Sequence, residues 1–390
     1  MVERIAFISQ GRLYVKGGEA EPHLLESDFA LEAAARSIQL QQKKAWKMQG
    51  GSALIPGSAL WGTSLDAGSV PRMNFAGVCR GSAPGEILYA LTTNAVGGMF
   101  AYNAAERKET RLFHREGLWL RDLDRSEEEG LIACSQQLPN GTACIGICRG
   151  AEFQQVTEGD SVDEAPSWVP GGNKQIVFQS AGIGRNAQGH VVGLGPFSIQ
   201  RLSLVTGEMT SLLENDRYDY LLPHVLPDGS LVVIRRPYEP PGRLNYPFHK
   251  MLLDVVLFPF RVARALFHLL NFISMAFSKK PLATTLGPPV ESLIDRHIVL
   301  RWRMIDAQRA LKQASEAGQA PSLVPDSWQL LRRGPTGEES VLASSVAAFD
   351  VDSHGTVVYT NGTAIFVLDG EGKSRQIAKG ALIDTVVCLD

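Results

Sequence analysis

The chain has 390 residues, 44% of them hydrophobic and 20% charged, with 38 glycines, 21 prolines and a net charge of −3. So near-neutral a chain has no global basic field, which excludes nucleic acid as the expected partner. The abundance of glycine and proline fits many short strands and turns, and hence an all-β fold.

In chain order, residues 4–26 read R-I-A-F-I-S, a Gln10-Gly11 turn, R-L-Y-V-K and H-L-L-E, which makes three strands. The opening M-V-E-R-I-A-F-I-S-Q-G lacks the layout of a secretory signal, because its apolar run is only four residues. A cytoplasmic protein is therefore expected. Residues 29–70 form a first insertion. Its start, F-A-L-E-A-A-A-R-S-I-Q-L-Q-Q-K-K-A-W-K, spaces Leu31, Ala34, Ala35, Ile38 and Ala45 as a helix would, with Ser27 and Asp28 as candidate caps. Trp46 and Trp61 are expected to pack beneath that helix.

Strands follow at E-I-L-Y-A-L-T, G-M-F-A-Y-N and T-R-L-F-H within residues 86–114, and again over 119–156 with a turn at Asn140-Gly141. Cys144 and Cys148 share one strand face, too far apart along it for an unstrained disulfide. With Cys79, Cys134 and Cys388 they read as small buried thiols in a reducing compartment.

Residues 162–213 carry the clearest pattern: V-D-E-A-P-S-W-V-P-G-G-N-K-Q-I-V-F-Q-S, then F-S-I-Q-R-L-S-L-V-T-G-E-M-T-S-L-L. An Asp, a Pro, a Trp, a Pro-Gly-Gly turn and successive strands resemble the blade repeat of TolB-type β-propellers. The pattern returns at Tyr220 as Y-L-L-P-H-V-L-P-D-G-S-L-V-V-I-R-R, and at Ser345 as S-V-A-A-F-D-V-D-S-H-G-T-V-V-Y-T-N-G-T-A-I-F-V-L-D. Asn361-Gly362 marks a hairpin there. One blade cannot bury both faces alone, so the resemblance implies a ring. Residues 381–390 supply one strand, which completes a blade with the three at the start. The count is six blades with two helical insertions; five or seven also fit, because residues 29–72 are hard to assign. The resemblance further implies a docking surface for other proteins.

A second insertion interrupts the repeat at residues 240–296. Its core, residues 250–280, places Lys250, Asp254, Arg261, Arg264, His268 and Asn271 within a helical sector of roughly 100°, with apolar residues around the rest. A spanning helix would carry Arg261, Arg264 and Asp254 through hydrocarbon at about 3 kcal/mol each. The narrow stripe instead fits a helix lying in the interface, with Leu257, Phe258, Leu266, Phe267, Leu270, Ile273, Met275 and Phe277 in lipid. Arg261, Arg264, Lys279 and Lys280 would then meet anionic headgroups. At half of about 2 kcal/mol each, those large side chains contribute roughly 8 kcal/mol. Pro259 is expected to kink the element. The same face also suits a partner helix, a second subunit or the propeller itself.

After the insertion, D-R-H-I-V-L-R-W-R-M-I-D reads as one strand with Arg301 and Arg303 on a shared face. With Arg235 and Arg236 they would line a channel mouth and meet an anionic group. No G-x-S-x-G elbow is present, and the eight histidines at 23, 114, 190, 224, 249, 268, 297 and 354 are dispersed. The expectation is a non-catalytic scaffold with no cofactor or metal. The alternative is a propeller hydrolase or lyase acting on a small or sugar substrate in the central channel.

Overall fold

A computed structural model describes residues 4–36, 39, 74–93, 96–171, 174–240, 297–301, 303–306, 321–370 and 372–389. The chain divides into a larger unit, Met1–Tyr238 with Arg309–Asp390, and a smaller one, Glu239–Gln308.

The described part of the larger unit is almost entirely strand. Its first sheet joins β1 (Arg4–Ser9), β2 (Arg12–Gly17) and β3 (His23–Leu25) to β27 (Ile383–Cys388), in the order β27-β1-β2-β3. Ile5 faces Cys388 and Phe7 faces Val386 in antiparallel register, so the first and last strands share a sheet. The turn between β1 and β2 has Gln10 at φ 53° and Gly11 at φ 70°, the left-handed pair that a two-residue hairpin requires.

The second sheet is β4 (Asn74–Arg80), β5 (Glu86–Thr92), β6 (Val96–Asn103) and β7 (Lys108–Glu116). The third is β8 (Trp119–Arg125), β9 (Ile132–Gln137), β10 (Ala143–Arg149) and β11 (Glu152–Gln155). The fourth is β12 (Ser161–Trp168), β13 (Gln175–Arg185), β15 (Ser198–Ser203) and β16 (Met209–Leu213), and β14 (Val191–Leu194) pairs with the far end of β13. One parallel bridge, Ala143 to Val162, joins these third and fourth groups of strands into a single nine-stranded sheet. The fifth is β17 (Tyr218–Val225), β18 (Leu231–Pro237), β21 (Gln329–Arg333) and β22 (Glu339–Ser344). The sixth is β23 (Ala348–Val351), β24 (Val357–Thr360), β25 (Ala364–Leu368) and β26 (Ser374–Lys379).

The sheets pack through their first strands in cyclic order. β4 lies against β1 and β27, β8 against β4, β12 against β8, β17 against β12, β23 against β17, and β27 against β23. The apolar cores sit between neighbours: Tyr89 and Phe100 meet Ile8 and Leu13 at one seam, and Ile145, Trp168 and Phe178 fill another. Alternating strand residues thus feed two seams each, which is why β5 reads as a nearly continuous apolar run.

Residues 28–36 are helical. Ser27 is the cap: its Oγ accepts the Ala30 N–H at 3.2 Å and donates to Glu109 Oε1 at 2.6 Å. The expected apolar stripe is not buried where it is described, because Leu31 is 56% exposed. Phe29 anchors the helix instead, its ring 4.9 Å from that of Phe100. Ile38, Ala45, Trp46 and Trp61 lie outside the described residues, as does the whole of 241–296. Strands β4 and β14 are absent from the sequence reading.

In the smaller unit, β19 (His297–Leu300) and β20 (Arg303–Asp306) form a hairpin. This corrects the single strand expected there. The chain reverses at Arg301, whose φ is 48°, so Arg301 and Arg303 do not alternate along one strand.

Candidate polar site at the innermost strands

Three of the innermost strands carry the same irregularity. Register breaks between Arg121 and Asp124 in β8, between Glu164 and Ser167 in β12, and between Leu221 and His224 in β17. Each bulge holds a left-handed non-glycine residue: Asp122 (φ 46°), Ala165 (φ 51°) and Leu222 (φ 52°). Such strained backbone persists only where its surroundings hold it, and bulges re-aim the side chains that follow. Here the residue two positions on is polar in every case: Asp124, Ser167 and His224.

These three converge. Ser167 Oγ lies 3.4 Å from His224 Nδ1. The Asp124 carboxylate accepts the Trp168 N–H at 2.7 Å, while its backbone oxygen accepts the Trp168 indole N–H at 3.2 Å. On β23, Asp350 accepts the Cys388 N–H at 2.7 Å and so ties the sixth sheet to the first. Burial holds the Asp124 carboxyl above the usual carboxylate range; Asp350 adds to the rise, and His224 and the Trp168 hydrogen bond oppose it. Deeper along the strands, burial lowers the Arg121 pKa, but Asp122, Glu164 and Asp384 together leave it raised. Gln179 braces the Leu222 bulge, its Oε1 accepting the Leu222 N–H at 2.9 Å.

Above the cluster opens a pocket of about 210 Å³, lined among others by Arg80, Asp124, Trp168, Lys174, His224 and Asp352. Its rim charges are engaged with one another: Arg80 with Glu127 at 3.2 Å and Lys174 with Glu129 at 3.4 Å. Glu128 accepts the Gly171 N–H at 3.1 Å. What the pocket lining offers is the Asp124 carboxyl and the His224 imidazole, which together bind or exchange protons with a small polar group. The Ser167–His224 separation exceeds the roughly 2.6–3.2 Å of an activated nucleophile.

Arg235 and Arg236, singled out in the sequence, do not line this pocket. Arg235 and Arg236 point to opposite faces of β18. Arg236 is 2% exposed, its Nε donates to Asp219 at 2.8 Å, and its guanidinium stacks 4.7 Å from the Trp328 ring. Arg235 donates to Gln329 at 2.8 Å and lies 3.4 Å from Glu339. Arg301 and Arg303 belong to the other unit, where Arg303 stands 3.4 Å from Glu239. Leu257, Phe258, Arg261, Arg264, Leu266, Phe267, Leu270, Ile273, Met275 and Phe277 lie outside the described residues. Among the described residues no helix is long and apolar enough to cross a membrane, and no group of His, Cys, Asp or Glu is arranged to hold a metal ion.

All five cysteines are buried and unbonded. Burial pushes the Cys144 thiol up to about 11, with Asp163 adding to the rise, and Cys134 Sγ lies 3.8 Å from Cys148 Sγ. The sequence reading passed over Asp124, Ser167 and Asp350 and gave His224 no specific role. The signal was present: aligning A-P-S-W-V-P with L-P-H-V-L-P places Ser167 over His224.

No protein-family model matches the sequence, and no curated protein matches it. The fold does match solved structures. TolB from Acinetobacter baumannii aligns with a TM-score of 0.50 and 11% identity, over 99% of this chain and 66% of that one. A nidogen/laminin complex aligns with a TM-score of 0.50 and 6% identity, over 98% and 97%. The chain therefore spans just under two thirds of the TolB chain it matches. At such identities the likeness is one of fold, and the fold is a TolB-like β-propeller.

Proposed function

We propose that the chain is a six-bladed propeller serving as a non-catalytic binding scaffold in the cytoplasm, attached to an anionic membrane surface through residues 246–282. The observation that carries the scaffold reading is the cyclic packing of the six four-stranded groups, in which each first strand contacts the next and β23 returns to β27. A ring of this kind gathers side chains from many strands at one opening, a geometry suited to holding a partner or ligand. One of the similar structures is itself a nidogen/laminin complex, consistent with partner binding by this fold. The membrane reading rests on the sequence pattern of the apolar insertion, with Phe258, Phe267 and Phe277 directed at lipid and Arg261 and Arg264 at headgroups.

A second reading is favoured by the Asp124–Ser167–His224 cluster. A half-buried carboxyl whose pKa is raised, beside an imidazole, is suited to general acid–base work on a small or sugar substrate.

The scaffold reading is tested by co-sedimentation with anionic and neutral liposomes. The intact protein is compared with a variant carrying Phe258→Glu, Phe267→Glu and Phe277→Glu. The intact protein is expected to pellet with anionic vesicles and the variant to stay in solution. Equal behaviour of the two proteins removes the membrane attachment from the proposal. If the variant instead loses self-association or a co-purifying protein, the apolar face is a protein interface.

A further inference from the structure

The seams between sheets are not equally closed. Neighbouring sheets elsewhere meet through two or three close strand pairs, such as β4, β5 and β6 against β8; the fifth and sixth meet closely through β17 and β23 alone. Beside that contact the two sheets flank a cleft of about 660 Å³ that is half open to solvent. Its walls are apolar: Leu226, Val232 and Leu342 on one side, and Val357 and Leu368 on the other. Protein interiors tolerate few voids, and the seam between the third and fourth sheets is filled by Trp168 and Phe178. An apolar space with so few polar partners holds water poorly. Its size falls within the roughly 300–1,000 Å³ of small-molecule sites.

The rim selects the occupant. Arg375 lines the opening, is exposed, and forms no ion pair with any described residue. His354, on the β23–β24 turn, also lines the space. Arg332 is already engaged, donating to Asp228 at 2.5 Å and Ser230 at 3.3 Å. Asp369 also lines the space, and its carboxylate accepts the Lys373 N–H at 2.7 Å. A single anionic head therefore finds Arg375 and His354, while a second negative charge would meet Asp369. We infer that this seam binds a small amphipathic anion, with its apolar body between the fifth and sixth sheets and its head at Arg375. None of Asp124, Ser167, His224 and Asp350 lines this space.

The test is calorimetric titration of the full chain with decanoate below its micellar concentration, with decanol and decyltrimethylammonium as neutral and cationic counterparts. Saturable one-to-one binding of decanoate is expected, roughly tenfold tighter than that of decanol. Leu342→Trp fills the seam and should abolish it, and Arg375→Glu should weaken it by roughly tenfold or more. Circular dichroism and cooperative melting check that each variant folds; Val357→Phe is the second filler if Leu342→Trp does not. The inference is overturned if decanoate shows no saturable binding or binds no better than decyltrimethylammonium. It is equally overturned if the filler and Arg375→Glu both bind decanoate as tightly as the intact chain, which would place the binding elsewhere.

Discussion

Asp124 shows what the ring demands of a single residue. Its carboxyl is enclosed by protein, accepts the Trp168 N–H and faces both Asp350 and His224, and burial outweighs the rest to hold its pKa up. A carboxyl whose folded pKa is raised binds its proton more tightly in the folded chain than in the unfolded one. Stability is therefore lost as pH rises from the unfolded aspartate value, about 3.9, through the folded value. Asp124→Asn keeps an oxygen for the Trp168 N–H and removes the ionisation. Urea unfolding across pH is expected to show the two proteins alike in acid and the variant more stable at neutral pH. A variant less stable at neutral pH but equal in acid would mean that the carboxylate form itself stabilises the fold. The opposite economy holds at Arg236 and Asp219, where both charges are buried and satisfy each other beside Trp328.

Among the elements, the seams depend on close backbone approach. A Cβ added at Gly97 in β6 would lie 1.7 Å from the Leu118 carbonyl oxygen, a backbone atom that cannot swing aside. Gly97→Ala is expected to cost about 1–3 kcal/mol in denaturant unfolding by prising β6 from the start of β8. No loss would mean that the seam between the second and third sheets is looser than described. The strands were largely legible because alternation and turn residues are local: Gln10-Gly11 and Pro227-Asp228-Gly229 each stand at a hairpin. Strand β4 was not, since N-F-A-G-V-C-R follows a long insertion and its Gly77 serves an approach to Asp122 that only the folded chain reveals. The Arg301–Arg303 hairpin was missed because a left-handed arginine has no sequence signature. The helix at 28–36 was anticipated with Ser27 as its cap, but not its anchor, since Glu109 lies 82 residues from Ser27.

At the scale of the molecule, the candidate site depends on the ring. Asp124, Ser167, His224 and Asp350 come from four different sheets and meet only if the sheets stand in cyclic order. Their equivalence was readable from the repeats, but their convergence was not, because it depends on seams that join residues far apart in the chain. Strand β27 is the critical piece: it pairs with β1, packs on β23 and buries Ile383, Val386 and Cys388. The most direct test is to end the chain at residue 381 and measure its stability by urea unfolding, with and without a synthetic peptide of residues 382–390. A closed ring predicts a loss of about 4 kcal/mol or more, with β1 left as an exposed edge, and recovery when the peptide binds. Unchanged stability in the shortened chain, with no effect of the peptide, would contradict the closed ring.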